Sequence, residues 1–176
     1  MAVAIHTEGL TKFYGKERGI IDLDLEVDQG EVFGYLGPNG AGKTTTIRLL
    51  LDLLRPTRGT SRVLGKHPYY DGVGVRSDIG YLPGELALHE NLSSEQMLTY
   101  IANLRKMDRL GDAPRVAERL ELDLSRQIGD LSSGNKKKVG LVQAFMHRPQ
   151  VLILDEPTGG LDPLMQQEFY RLVREA

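Results

Sequence analysis

Apolar and acidic residues alternate through IIDLDLEV (residues 20–27), and Ile21, Leu23, Leu25 and Val27 fall on one side of a period of two. That spacing predicts a half-buried strand, with a small antiparallel sheet opening the fold. A second strand-like run, Glu31 to Leu36, leads into the glycine-rich GPNGAGKTT, after which Ile47, Leu50, Leu51 and Leu54 recur at helical spacing. Pro56 and Gly59 then punctuate the chain, and a short strand is expected around Ser61 to Leu64. The stretch IGYLPGE again reads as strand into loop.

From Asn91 to about Leu124 the pattern turns helical. Leu92, Met97, Leu98 and Ile101 mark one segment, and Val116, Ala117 and Leu120 mark another beyond the breaker Pro114. Val139, Val142 and Met146 predict a helix from Asn135 to His147, which Pro149 stops before the wholly apolar VLIL of a buried strand. A last helix should start near Pro163. Strand–loop–helix units in this order predict an α/β fold with a mostly parallel central sheet, an antiparallel β subdomain at the N-terminus and a helical insertion at about 85–134.

Composition narrows the picture little. The chain of 176 residues is 40% hydrophobic and 26% charged, the balance of a folded domain. Its 22 Lys and Arg against 24 Asp and Glu give a net charge of −2, so no global attraction to nucleic acid follows and no nucleic-acid partner is expected. The absence of cysteine excludes a disulfide framework and thiolate metal sites. The opening MAVAIHTEGL does not read as a signal peptide, and the most apolar stretch, Ile47 to Leu54, is broken by Arg48 and Asp52 and far below the ~18 residues of a membrane span.

The candidate chemistry lies in three places. Gly37, Gly40, Gly42, Lys43 and Thr44, with Pro38, Asn39, Ala41 and Thr45 between and beside them, match GxxxxGK[ST] between an expected strand and an expected helix. Glycines let backbone amides wrap a phosphate, the helix start adds its positive end, Lys43 meets the outer phosphates and the Thr44 hydroxyl suits magnesium. One charge pair at ~4 Å in an effective dielectric of ~20 is worth about 4 kcal/mol before desolvation, so Lys43 is the residue on which binding should depend most. The bland alternative is a glycine turn capping a structural helix.

At the end of VLIL stand Asp155 and Glu156. A buried unpaired carboxylate costs several kcal/mol, and a magnesium ion supplies the missing cation. Asp155 is therefore the candidate metal ligand, and Glu156 the group that orients or deprotonates an attacking water. Two solvated acids at a strand end are the alternative.

The third place is LSSGNKKKVG, and with it the chain resembles the ABC ATPases over almost its whole length. Leu131 to Asn135 resemble the family signature LSGGQ, with Ser133 in place of a glycine and Asn135 in place of glutamine. The resemblance implies a P-loop NTPase fold, ATP and Mg2+ as ligands, and ATPase activity. It implies head-to-tail pairing with a second ATP-binding subunit, so that Ser132, Ser133, Gly134 and Asn135 cover ATP held by the partner. Tyr14 corresponds to the aromatic that stacks on adenine, with Phe13 beside it as the alternative core residue, and Asp162 to the loop that signals between paired domains. Asp162 before Pro163 is equally a helix N-cap. Lys136, Lys137 and Lys138 are expected to form a solvated helix face.

The family's metal-touching glutamine falls at Gly84, with Glu85 as a substitute. The wording around GYLPGELAL resembles subunits of bacterial drug or antibiotic exporters, which implies a separate transmembrane permease and a cytoplasmic location peripheral to the inner face of the cell membrane. The family's switch histidine lies on a further strand, between the phosphate-loop strand and the carboxylate strand, and none of His6, His67, His89 and His147 follows Glu156. Residues 1–176 thus read as one incomplete nucleotide-binding domain without its C-terminal strands and switch-histidine segment. A fragment of that kind is expected to bind ATP weakly or not at all, to hydrolyse it negligibly and to associate or aggregate, with His147 an exposed helix-end cation. The other readings are a soluble ABC-type ATPase acting on ribosome or DNA, a non-hydrolysing interaction fragment and, last, a P-loop kinase.

Overall fold

A computed structural model describes residues 2–176, which fall into two compact units, one ending at Asp78 and the other running from Ile79 to Ala176. In the first, β1 (Val3–Tyr14) pairs antiparallel with β2 (Glu17–Asp28) on one side and with β3 (Arg58–Val63) on the other, giving the order β2-β1-β3. The strand expected at Ser61 to Leu64 therefore begins three residues earlier and joins the opening sheet. Helix α1 (Lys43–Leu50) and a short helix, α2 (Gly72–Ser77), complete the unit.

The period of two in β2 is interrupted. Pairing steps from Leu10↔Leu23 to Lys12↔Ile20, so β2 carries one extra residue there, and Asp22 sits at φ 47°. A bulge flips the faces beyond it. Leu23, Leu25 and Val27 stay on the inner side, but it is Ile20, 6% exposed, that packs with Leu10 and Leu49, while Ile21 turns outward. The expectation that Ile21 shares the inner face is thereby corrected.

Residues 31–36 were expected to form a strand, and they do not. They pair with no strand among the described residues, and Val32, Phe33 and Leu36 are exposed. Extended backbone becomes a strand only where a neighbour satisfies its N–H and C=O groups. The intervening strand implied by the family resemblance is not among the described residues.

In the second unit, β4 (Ile79–Leu82) pairs in parallel with β5 (Val151–Leu154), in the register Ile79↔Val151 through Leu82↔Leu154. Between them in sequence come α3 (Ser94–Leu104), α4 (Ala113–Arg119) and α5 (Ser133–Phe145); α6 (Pro163–Glu175) follows β5. A reciprocal capping box between Ser93 and Gln96 starts α3. Pro114 lies in the first turn of α4, where its missing N–H costs nothing, so it starts that helix rather than breaking one.

Leu82, Leu98, Val116, Leu120, Ile128, Val139, Met146 and Leu172 all belong to one core cluster and are at most 2% exposed. Each is worth roughly 1.5–3 kcal/mol of burial. Helix α5 crosses β4 closely because Gly80 has no side chain: a Cβ there would overlap the carbonyl of Ala144. His147, just past α5, is half-buried with its ring Nε2 3.1 Å from the Ile79 carbonyl. It is not the exposed cation that the sequence suggested, and it sits at the end of the β4–β5 pair opposite to Asp155.

Asp112, at the head of α4, is 8% exposed and receives Arg148 on one carboxylate oxygen (2.7 and 3.1 Å) and Arg115 on the other (2.6 and 3.0 Å). Chiefly through the Arg148 hydrogen bond, its carboxyl is held below the usual aspartate range. A folded-state pKa below the unfolded value gives stability present above about pH 4 and lost as pH falls through the folded value. Asp112→Asn is expected to cost about 1–2 kcal/mol at neutral pH, a figure kept low because both arginines reach solvent. Urea unfolding followed from pH 7 down to pH 3 should show the variant and the parent converging in acid.

Candidate nucleotide-binding site

In the first unit the glycine loop sits at the head of α1. Gly42 is the N-cap, with φ 93°, and a Cβ there would collide with Ile20, so the backbone requires glycine on two counts. Gly40 is left-handed as well (φ 81°) and the Ala41 N–H bonds the Pro38 carbonyl. The Lys43 ammonium folds over the loop, donating to the carbonyls of Gly37 (2.6 Å) and Pro38 (3.0 Å). An amine held there by two neutral carbonyls is placed to exchange them for phosphate oxygens, a stronger charge-assisted pairing. Asn39, Gly40, Ala41 and Thr44 are exposed, whereas Thr45 is half-buried. Thr46 is buried and returns its hydroxyl to the Gly42 carbonyl at 3.1 Å, which tightens the first turn.

Tyr14, at the end of β1, lies beside this loop. Its hydroxyl is 3.3 Å from that of Thr45, its ring is 43% exposed, and the Lys12 ammonium lies 5.7 Å from the ring centre. Phe13 is 36% exposed and is not a core residue either. An available aromatic face next to a phosphate loop suits a flat base.

In the second unit, β5 delivers the carboxylates. The Asp155 N–H continues the parallel ladder by donating to the Leu82 carbonyl, and its side chain is half-buried. Glu156 is exposed and turns the chain through φ 49°, a left-handed conformation that costs a non-glycine residue of the order of 1 kcal/mol or more. Adjacent side chains of a strand end would otherwise point to opposite faces.

Ser132 caps α5, accepting from the Asn135 N–H at 3.3 Å, and Ser132 and Ser133 are exposed. A Cβ on Gly134 would overlap the carbonyl of Gly160, so the start of α5 lies directly against the loop that leads into α6. Asp162 caps α6 through the N–H groups of Leu164 (3.0 Å) and Met165 (3.1 Å). The sequence segments LSSGN and GGLD thus meet in space.

The lysine run is not a solvated face. Lys136 pairs with Glu90 at 2.7 Å, and Lys137 and Lys138 are 7% and 8% exposed. Helix α5 is buried nearly all round, so the simple amphipathic phase does not apply to it. Burial lowers the Lys137 ammonium pKa, opposed by the charges of Glu156 and Asp155. Sequence reasoning missed this residue; the sign of it was the unbroken VGLV that follows, too apolar for a one-sided helix.

Thr44 in the first unit and Asp155 in the second each carry a hard oxygen of the kind magnesium takes, and no group of three or more His, Cys, Asp or Glu among the described residues is arranged to hold a metal. A lone hard oxygen suits an ion bound largely through water and substrate phosphates rather than in a protein cage.

A family model described as "ABC transporter" matches residues 20–159. The chain belongs to the ABC transporter family. Among curated relatives, the bacitracin transport ATP-binding protein BcrA of Bacillus licheniformis is 36% identical over 175 residues, which are 98% of this chain and 57% of that protein. The daunorubicin resistance ATP-binding protein DrrA3 of Streptomyces coeruleorubidus is 39% identical over 176 residues, 97% of this chain and 56% of that one. The chain therefore spans about half the length of the curated relatives it matches. A solved ATP-binding subunit of an ABC transporter superposes with a TM-score of 0.88 at 30% identity, covering 98% of this chain and 74% of that one. A dimeric bacterial ABC transporter cassette shares the fold, with a TM-score of 0.85 at 21% identity over 96% of this chain and 81% of the other. These likenesses establish the P-loop α/β fold with its antiparallel N-terminal sheet and helices. No helix among the described residues is long and apolar enough to cross a membrane.

Proposed function

We propose that this ABC protein binds and hydrolyses ATP to power a separate membrane permease, in the manner of a drug or antibiotic exporter. The observation that carries the reading is the Lys43 ammonium held across the Gly37 and Pro38 carbonyls at the head of α1, a place ready for phosphate. Both compact units would serve one nucleotide-binding domain, with residues 85–134 as its helical insertion. Gly37 to Thr45 would hold the triphosphate, Tyr14 would stack on the base, and Thr44 and Asp155 would hold the metal. When bound, magnesium supplies charge neutralisation at the phosphates. Glu156 would orient the attacking water and draw off its proton.

The exposed hydroxyls of Ser132 and Ser133 and the N-terminus of α5 would face the nucleotide of a second ATP-binding subunit, with the Gly160 to Asp162 loop at the same junction. Closure of the pair on ATP and reopening after hydrolysis would move the permease, from the cytoplasmic side of the membrane. The names of the relatives point to bulky antibiotics as the class of cargo.

The test is light scattering of the purified gene product with and without Mg-ATP, together with phosphate release. ATP-dependent dimers and magnesium-dependent release are expected. A protein that stays monomeric with ATP and releases no phosphate would contradict the proposal.

A further inference from the structure

The most conspicuous charge in the second unit outside the named motifs is Lys137. Its side chain leaves α5 toward the end of the parallel strand pair, is 7% exposed, and donates to the Gly84 carbonyl at 3.5 Å. One contact at the long limit of a hydrogen bond does not offset the burial of an ammonium, which costs several kcal/mol unless an opposite charge stands by. Asp155 and Glu156, at the tip of β5, supply opposite charge at longer range, without a direct ion pair to the amine. Gly84 closes the arrangement from the other side: a Cβ on it would lie 3.4 Å from Oδ2 of Asp155. The loop after β4 therefore lies against both the amine and the Asp155 carboxylate.

We propose that Lys137 is an internal counter-ion of the Asp155–Glu156 pair, tying it to the Gly84 loop, so that a divalent cation engages Asp155 in competition with the ammonium. The inference rests on the reading of Asp155 as a metal ligand. It adds a positioning residue that sets how much metal the site needs. Without the ion, the ammonium balances the carboxylates and keeps β5 and the loop together; with the ion, two cations share two carboxylates and the metal is held less tightly. Arginine in place of lysine would keep the charge, while glutamine or methionine would keep the approximate length and remove it.

The experiment titrates manganese(II) into the gene product saturated with a non-hydrolysable ATP analogue, and follows the loss of the free-ion spin resonance signal. Lys137→Gln and Lys137→Met are both expected to tighten manganese about threefold to tenfold, the size of one partly screened charge pair, with Lys137→Arg within about twofold of the parent. Unchanged or weaker manganese binding in the Gln and Met variants, with nucleotide still bound, overturns the proposal. A lysine with only a structural role would shift thermal stability and leave manganese affinity where it was. Asp155→Asn separates the two readings: if it leaves manganese affinity intact, Asp155 is no ligand, and the assignment beneath this inference fails with it.

Discussion

Lys43→Ala is expected to weaken ATP binding about a hundredfold or more, the largest loss of any single substitution in the chain. One unit charge against phosphate at ~4 Å is worth about 4 kcal/mol in an effective dielectric of ~20, and part of that is returned as desolvation. The loop itself should survive, because Gly40 and Gly42 set its backbone and the amine contributes two hydrogen bonds to carbonyls that solvent can satisfy. Titration of a fluorescent ATP analogue into parent and variant checks the claim, with the thermal midpoint as a control for folding. An affinity within threefold of the parent would remove Lys43 from the phosphate site. Lys43→Arg should recover only part of the loss, since a planar fork does not fit where a compact ammonium already touches Gly37 and Pro38.

Glu156→Gln is expected to lower turnover by about 10²–10⁴, the usual worth of a positioned general base. Nucleotide affinity should hold within about twofold, with the thermal midpoint read alongside as a control for folding. The side chain is exposed, and the left-handed backbone cost falls equally on Glu and Gln, so that contribution cancels in the comparison. Single-turnover hydrolysis read beside equilibrium binding distinguishes lost chemistry from lost substrate. Retained turnover with this carboxylate gone would assign the proton transfer to another group.

The parts of this molecule that were legible in its sequence are those written in consecutive residues. The glycine loop, the helix behind it and the strands at IGYL and VLIL each carry their own local signal, and helices α5 and α6 begin within two residues of where capping chemistry and spacing placed them. Features set by distant neighbours were not legible. The extra residue at Asp22 leaves no mark in a pattern of alternation, yet it exchanges Ile20 for Ile21 on the inner face. Residues 31–36 have the apolar content of a strand, but strand formation depends on a pairing partner and not on the run itself. Lys137 looked solvated because a charge run on a helix usually is, and only the packing around α5 shows otherwise.

The close crossing at Gly80 has a mechanical side. Helix α5 is pinned where its last turn meets that residue, some eighteen ångströms from Ser132 by the usual rise of ~1.5 Å per residue. A small tilt about such a fulcrum leaves the C-terminal turn still and sweeps the serine tip through the widest arc. Any such tilt would be largest at Ser132 and would carry with it the Gly160 loop, against which Gly134 lies.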